Sequence, residues 1–141
     1  MKSINPYLTF WGNCEEAFNF YKKVFGGEFT YIGRFKDMPA QEGKKINEEE
    51  ANLILHVSLP MGDSVLMGSD TTVAYAGEKT EGNNFTISIN VDSKEEAEKI
   101  FNGLNENGSV IMPLAETFWA AYFGMVKDKF GIIWMVNLDY K

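Results

Sequence analysis

The chain has 141 residues, which is enough for one domain or for two half-domains. Hydrophobic residues make up 45% of it, which excludes a disordered chain, and its formal net charge of −7 excludes the basic surface of a nucleic-acid-binding protein. Cys14 is the only cysteine, so no intrachain disulfide can form and we expect a cytoplasmic protein. Since no apolar run approaches the roughly 20 residues of a membrane span, we expect no membrane partner.

The first half of the chain begins with a strand, a helix and a second strand. Ile4–Trp11 is the first predicted strand, and Asn13 is placed to cap the helix that follows. The helix is predicted over Glu16–Gly27, because its apolar residues recur at helical spacing and paired glycines end it. Glu28–Phe35 is the second predicted strand, and the polar stretch Lys36–Glu50 predicts a long loop.

A hairpin completes the first half. The alternation in Asn52–Leu59 predicts a strand with Leu53, Leu55, Val57 and Leu59 on one face and Ile54, His56 and Ser58 on the other. The turn residues Pro60–Asp63 return the chain as the strand Ser64–Gly68. The stretch Thr71–Asn84, rich in glycine, threonine and glutamate, predicts a linker.

The second half begins with the same elements as the first. Phe85–Val91 alternates as a strand, and Ser93 and Glu96 have the spacing of a capping box at the start of a second helix. The apolar stripe of this helix repeats that of the first helix 80 positions later, and we expect the helix to end at Gly108. The two stripes are Ala17, Phe20, Tyr21 and Val24, and Ala97, Ile100, Phe101 and Leu104.

Three further strands follow the second helix. Ser109–Met112 is predicted as a strand that Pro113 stops, and the next residues to Trp119 form a connection. Tyr122–Lys127 and Ile132–Leu138 form a last hairpin. The sequence therefore predicts two copies of a strand–helix–three-strand unit (βαβββ).

Several short motifs in a fixed order carry a resemblance to a known family. They are Pro6-Tyr7-Leu8, Glu16-Ala17, Phe20-Tyr21, Met38-Pro39, His56, Gly62–Met67 with Ser69-Asp70, Thr117-Phe118-Trp119, Asp128–Gly131 and Trp134. With the duplicated unit, they resemble the PhnB-like branch of the vicinal-oxygen-chelate superfamily, which includes glyoxalase I, extradiol dioxygenases and bleomycin-resistance proteins. The resemblance covers essentially the whole chain.

The resemblance implies an α+β fold with two βαβββ modules. Residues 1–72 and 85–141 would form the modules and residues 73–84 the linker, within one structural domain. In this superfamily the eight strands form a half-open cup around the site. Many members are homodimers, so we expect a homodimer and a small-molecule ligand.

The metal site of the superfamily's enzymes is not matched here. Those enzymes hold a divalent ion with His, Gln or Glu side chains, and the corresponding positions are Pro6, Met67, Thr86 and Met135. Proline has no side-chain donor, thioethers are poor ligands for hard ions, and a neutral threonine is a weak one. We therefore predict no metal and no other cofactor.

His56 is the only histidine and the only candidate for a catalytic group. On the polar side of its strand, beside Ser58, it is able to act as an acid–base or hydrogen-bonding group in the cup. The alternative is a histidine that is hydrogen-bonded within the sheet and has no chemical role. Cys14, at the start of a helix, has no second histidine as its base, which favours an inert thiol over a nucleophile.

The remaining candidate residues are those that line the cup if the positions aligned between the two halves of the chain face inward. They are Leu8, Phe10, His56, Thr86, Ser88, Asn90, Ile133, Met135 and Asn137, with Phe118, Trp119 and Phe123 at the rim. A mainly apolar wall with a few polar groups suits a small organic ligand. The alternative is that these side chains fill the interior of the sheet.

We therefore predict a metal-independent PhnB-like protein that binds a small amphipathic or aromatic molecule. A lyase or dioxygenase of the same superfamily is one alternative, so enzymatic activity stays open, and a structural or regulatory dimer with a filled cup is another. PhnB-like sequences are sometimes labelled ubiquinone-pathway methyltransferases. That activity is disfavoured here, because no strand–glycine-loop–helix suits S-adenosylmethionine.

Overall fold

The computed structural model describes residues 1–38, 47–72, 76–119 and 121–140. They belong to two compact units, Met1–Lys79 and Thr80–Lys141, each with one four-stranded sheet. The division falls within residues 73–84, the predicted linker, of which residues 73–75 lie outside the described part. Each unit has the order βαβββ, apart from short helical turns, which confirms the prediction of an α+β fold with two repeated modules.

The first unit is a mixed sheet with one long helix on one face. Its strands are β1 (Tyr7–Phe10), β2 (Tyr31–Arg34), β3 (Ile54–Met61) and β4 (Ser64–Asp70). Their order is β1-β4-β3-β2, in which only the β1–β4 pair is parallel. Helix α1 (Cys14–Phe25) packs against β3 and β4, and the short helix α2 (Glu48–Ala51) precedes β3. Residues 39–46 of the predicted loop Lys36–Glu50 lie outside the described residues.

The second unit has the same topology. Its strands are β5 (Ile87–Asn90), β6 (Ser109–Glu116), β7 (Ala121–Lys127) and β8 (Ile133–Asp139). They lie in the order β5-β8-β7-β6, and helix α3 (Lys94–Leu104) packs against β7 and β8.

The two long helices form where the apolar stripes predict them. The four stripe residues of each helix are buried, which places one face of the helix against its sheet. Gly26, with φ +81°, ends α1, and the Ser93 hydroxyl accepts the Glu96 N–H at 3.1 Å to cap α3. The predicted end of the second helix at Gly108 is wrong: α3 ends at Leu104, and Asn107 is the residue with positive φ.

The predicted alternation in β3 fails at one point. Ile54 is buried together with Val57 and Leu59, although the sequence placed it on the other face. The pairing with β2 explains this, because Gly33 lies opposite His56 while Arg34 lies opposite Ile54. Leu55 is therefore an extra residue on β3, a β-bulge that moves Ile54 to the buried face.

Pro113 does not stop β6, which continues to Glu116. The register against β7 shifts twice, between Val110 and Met112 and again between Met112 and Ala115. β6 is an edge strand of its sheet, and an edge strand accommodates a proline because only one of its sides needs backbone donors.

Two glycines identify the face of each sheet that packs on its helix. A Cβ atom on Gly68 of β4 would lie 2.6 Å from the Phe18 ring of α1, and one on Gly124 of β7 would lie 2.8 Å from the Phe101 ring of α3. Because side chains alternate along a strand, residues next to these glycines point away from the helices. We call that second side the helix-free face of each sheet.

Candidate functional site

The helix-free face of the first sheet carries a row of residues from all four strands. Tyr7 lies opposite Met67, Met67 opposite Ser58, and Ser58 opposite Tyr31. Directly opposed residues on neighbouring strands point to the same side of a sheet. The row therefore presents two phenols, a thioether and a hydroxyl side by side.

His56 lies beside this row and is held on both sides of its ring. Its Nδ1 lies 3.3 Å from the Tyr7 hydroxyl, and its Nε2 lies 2.9 Å from the Ser58 hydroxyl. The ring centroids of Tyr7 and Tyr31 lie 5.6 Å and 5.9 Å from that of the imidazole, at tilted angles. Tyr7 is 47% exposed and Tyr31 51%, so both phenol rings keep surface that a ligand is able to contact.

Gly33 has no side chain, and the Tyr31 ring occupies the space that a side chain there would fill. It lies opposite His56 and two residues from Tyr31, and a Cβ atom there would overlap the tip of the Tyr31 ring. The ring is thus folded back over the sheet toward the imidazole. The sequence reasoning missed Tyr7, Tyr31 and Gly33 as neighbours of His56, because strand pairing alone brings them together.

Five of the predicted lining residues share the helix-free face of the second sheet. Ser88 lies opposite Met135, Asn90 opposite Asn137, and Asn137 opposite Phe123. The Asn137 side-chain amide donates to the Asn90 side-chain oxygen at 3.1 Å. Ile133 also lies on this face of β8, and Thr86, half-buried, precedes β5.

The predicted rim residues form an aromatic cluster next to that face. The Trp119 ring makes edge-to-face contacts with Phe118, at 4.9 Å between centroids, and with Phe123, at 5.9 Å. Phe118 is 96% exposed, whereas Phe123 is buried. The Thr117 hydroxyl accepts the Ala121 N–H at 3.1 Å and holds the turn that carries the cluster.

Leu8 and Phe10 do not share a face with His56, which corrects the sequence-based expectation. Leu8 lies opposite Gly68, and the Phe10 ring packs on Phe18 of α1 at 6.2 Å. Both are buried in the core between the first sheet and its helix. Ser88 and Asn90, which lie 80 positions after Leu8 and Phe10, point away from α3. The alternation of side chains in β1 is therefore shifted by one residue from that in β5.

The positions that the sequence matched to metal ligands of the superfamily's enzymes carry no set of side chains suited to a divalent ion. The predicted position Pro6 is off by one residue, because Tyr7 is the residue that lies opposite Met67. Proline has no side-chain donor, and a thioether is a poor ligand for a hard ion. Ser88 and Met135 are the opposed pair in the second sheet. In the part of the chain that the structure describes, no three His, Cys, Asp or Glu side chains are grouped so as to hold a metal.

Asp70, at the end of β4, has a structural position. Its buried carboxylate accepts the backbone N–H groups of Gly12, Cys14 and Ile54 at 2.9, 3.0 and 2.9 Å. It therefore provides hydrogen-bond acceptors at the start of α1, where the side chain of the predicted cap residue Asn13 makes no capping hydrogen bond. The sequence showed Asp70 only as part of a family motif.

The thiol of Cys14 is buried, and burial together with the nearby Asp70 and Glu15 carboxylates raises its pKa. This is opposite to the lowering that the helix position suggests, and it supports the inert alternative. Glu15 itself forms a two-point ion pair with Arg34, which joins α1 to β2. The hydrogen bond from Arg34 is the main cause that lowers the pKa of Glu15.

The fold defines a two-module protein of the glyoxalase type, and comparison with known proteins agrees. Residues 2–137 match the family model described as 3-demethylubiquinone-9 3-methyltransferase. Protein YjdN of Escherichia coli K12 is 33% identical over 96% of this chain and 94% of its own length.

Solved structures show the same relationship. PA1353 of Pseudomonas aeruginosa is 45% identical over 99% of this chain and 98% of its own, with a TM-score of 0.84. A PhnB protein of Bacillus cereus is 25% identical over 96% and 98%, with a TM-score of 0.76. A glyoxalase/bleomycin resistance/dioxygenase family enzyme of Burkholderia phytofirmans shares the fold, at 17% identity over 95% and 97% and a TM-score of 0.61.

The chain therefore belongs to the family of that model and is a PhnB-like member of the vicinal-oxygen-chelate superfamily. Among the described residues, no helix is both long enough and apolar enough to cross a bilayer. The cytoplasmic location stays a prediction.

Proposed function

We propose that this protein binds a small organic molecule on the helix-free face of its first sheet and that it does so without a metal ion. The arrangement around His56 carries the proposal. A half-buried imidazole is fixed by two hydroxyls and flanked by two half-exposed phenol rings. Apolar and aromatic surface with a few fixed polar groups is the composition of small-molecule sites.

Metal independence rests on the donor chemistry. Pro6, Met67 and Met135 offer no oxygen or imidazole nitrogen from their side chains, and Thr86 offers only a hydroxyl. A Lewis-acid site needs several oxygen or nitrogen ligands. His56 alone does not supply them. Its contacts with Tyr7 and Ser58 suit hydrogen bonding to an organic ligand.

Methyl transfer, the activity in the description of the family model, is not part of the proposal. A nucleotide-type cofactor commonly binds where a strand passes through a glycine-rich loop into a helix. In the first unit this connection runs through Gly12 to Cys14, and the Asp70 carboxylate already accepts both N–H groups. That internal carboxylate already occupies two of the amides that an anionic group of a cofactor would need there.

The test is a thermal-shift screen of small organic compounds on the native chain and on His56→Ala, before and after treatment with a chelator. We expect ligands that raise the melting temperature of the native protein equally in both preparations and that lose this effect in the variant. Ser58→Ala is the second variant, since it removes one partner of His56 and leaves the ring in place.

Two results would contradict the proposal. Elemental analysis that finds stoichiometric metal, or melts in which Mn, Fe, Co, Ni or Zn raise the melting temperature, would favour a lyase or dioxygenase of the same superfamily. A screen without any ligand for the native chain would favour a structural or regulatory dimer.

We also propose that the chain forms a homodimer through β6. The side chains of Val110, Ile111 and Met112 on this edge strand are between 43% and 50% exposed. No charged residue occurs from Gly108 to Ala115, although the chain carries a net charge of −7, so two copies are able to meet there without repulsion.

Sedimentation equilibrium tests the dimer. We expect twice the chain mass of 15.9 kDa for the native protein and a monomer for Ile111→Lys. Asn83→Lys, which adds the same charge at an exposed loop position, is the control and should stay dimeric. A monomeric native chain would contradict this proposal.

A further inference from the structure

Apart from His56, the four strands of the first sheet contain only two residues with an acidic or basic side chain, Arg34 and Asp70. The helix-free face of these strands consists instead of hydroxyl, phenol, imidazole, thioether and aliphatic groups. Tyr7, Thr9, Tyr31, Ser58, Met67 and Ser69 are examples. The face therefore carries no carboxylate, ammonium or guanidinium group, although the chain has a net charge of −7.

Both ionised residues are held on the other side of the sheet. Asp70 is buried against the start of α1 by three backbone N–H groups. Arg34 follows the register shift that Leu55 introduces, and its guanidinium pairs with Glu15 of α1 and donates to the Asn52 carbonyl at 2.8 Å. Neither charge is available to a ligand on the helix-free face.

The chain of hydrogen bonds through His56 leaves one donor for a ligand. In a neutral imidazole one nitrogen carries the hydrogen and the other accepts. One of the two hydroxyls, Tyr7 or Ser58, therefore donates to the ring, and the other accepts from it. The hydroxyl that accepts keeps its own hydrogen, which is free to point at an acceptor outside the protein.

We propose that this face selects an uncharged, planar ring compound that carries a hydrogen-bond-accepting oxygen or nitrogen. The ring stacks on the exposed surface of Tyr7 or Tyr31, and the acceptor takes the free hydroxyl hydrogen of the Tyr7–His56–Ser58 chain. An anion or a cation is disfavoured, because a charge held on this face loses part of its hydration and meets no countercharge there. This inference rests on the proposed function and names the ligand class of the same site.

Three probes of nearly the same shape test the charge preference. Benzamide, benzoate and benzamidine are planar and differ in being neutral, anionic and cationic. We expect titrations followed by backbone amide NMR shifts at pH 8 to give benzamide a dissociation constant at least about tenfold below those of the other two. Shifts should be confined to β1 to β4.

A lysine introduced on the helix-free face tests the charge preference directly. Thr9 is exposed beside Tyr7 on the same face, and Thr9→Lys should reverse the order so that benzoate binds more tightly than benzamide. Ser69→Lys, opposite Thr9, is a second variant in case the first does not fold. Thr30→Lys, an exposed position that precedes β2, is the matched control and should leave the order unchanged.

The outcomes separate this inference from the proposed function. Tighter binding of benzoate or benzamidine to the native chain, or no shift with benzamide, overturns the inference. If the compound screen then yields only charged ligands that depend on His56, the proposed function stands and the ligand class is wrong. If the screen yields no ligand at all, both are wrong.

Discussion

The carboxylate of Asp70 holds the start of α1, because its Oδ1 accepts the backbone N–H of Cys14 at 3.0 Å. The same side chain accepts the N–H groups of Gly12 and Ile54, so one residue ties the β1–α1 connection, β3 and β4 together. Asp70→Ala should lower the free energy of unfolding by roughly 3 to 5 kcal/mol, since three donors lose a charged acceptor. Urea denaturation measures this.

Asp63→Ala is the control for that variant. Asp63 is an exposed carboxylate in the turn between β3 and β4, and its loss should change the free energy of unfolding by less than about 0.5 kcal/mol. Equal effects of the two substitutions would show that Asp70 does not organise the first unit.

Gly124 makes the close approach of α3 to its sheet possible. A Cβ atom there would lie 2.8 Å from the Phe101 ring and 2.9 Å from the Leu114 Cα. Gly124→Ala should therefore destabilise the protein by about 1 to 3 kcal/mol through overpacking. Gly82→Ala, where the nearest atom would be 3.6 Å away, should be tolerated, and urea denaturation that found the two variants equal would contradict this reason.

The Glu15–Arg34 pair should make stability depend on pH in the acid range. The pKa of Glu15 is lowered in the folded state, so the pair stabilises the protein above the ordinary glutamate pKa of about 4.3 and is lost as pH falls through the lower folded value. Because both side chains are partly exposed, Glu15→Gln should cost up to about 1 kcal/mol at pH 7.

Urea denaturation at pH 7 and at pH 3 measures this dependence. The difference between the native chain and Glu15→Gln should shrink at pH 3. Glu16→Gln, on the exposed side of the same helical turn, controls for the helix dipole, and an equal pH dependence in this variant would show that Arg34 is not the cause.

Cys14 should be unreactive in the folded protein. Its thiol is buried, and its pKa is raised by burial and by the Asp70 and Glu15 carboxylates, so little thiolate forms at neutral pH. Labelling with a maleimide at pH 7.5 should be slow in buffer and should speed up over the same urea range as unfolding. Rapid labelling of the native chain would instead indicate a reactive thiol.

Much of the fold could be predicted from the sequence because its signals are local. The stripes that begin at Ala17 and Ala97 gave both helices, and the alternation from Ile87 to Asn90 gave β5. The β-bulge at Leu55 and the continuation of β6 through Pro113 were missed, since both depend on the neighbouring strand.

The candidate site was predicted only in part. His56 and the second-sheet residues Ser88, Asn90, Met135 and Asn137 do lie on helix-free faces. Leu8 and Phe10 do not, because the side chains of β1 and of β5, 80 positions later, differ by one residue in the face to which they point. A shift of one residue in a strand moves a side chain to the opposite face of the sheet. The apolar stripe of the following helix contains no information about such a shift.

The sequence by itself determined the two-module order of elements, the family resemblance and the shortage of metal-ligating side chains at four positions, since each depends on residue types and their spacing. Only the tertiary structure decided which residues surround His56 and where the charges of Arg34 and Asp70 lie. Tyr7 and Tyr31 come from different strands and reach the imidazole through pairing in the sheet. The packing of Phe18 against Gly68 fixes which face meets the helix, and the opposite face carries no carboxylate, ammonium or guanidinium group.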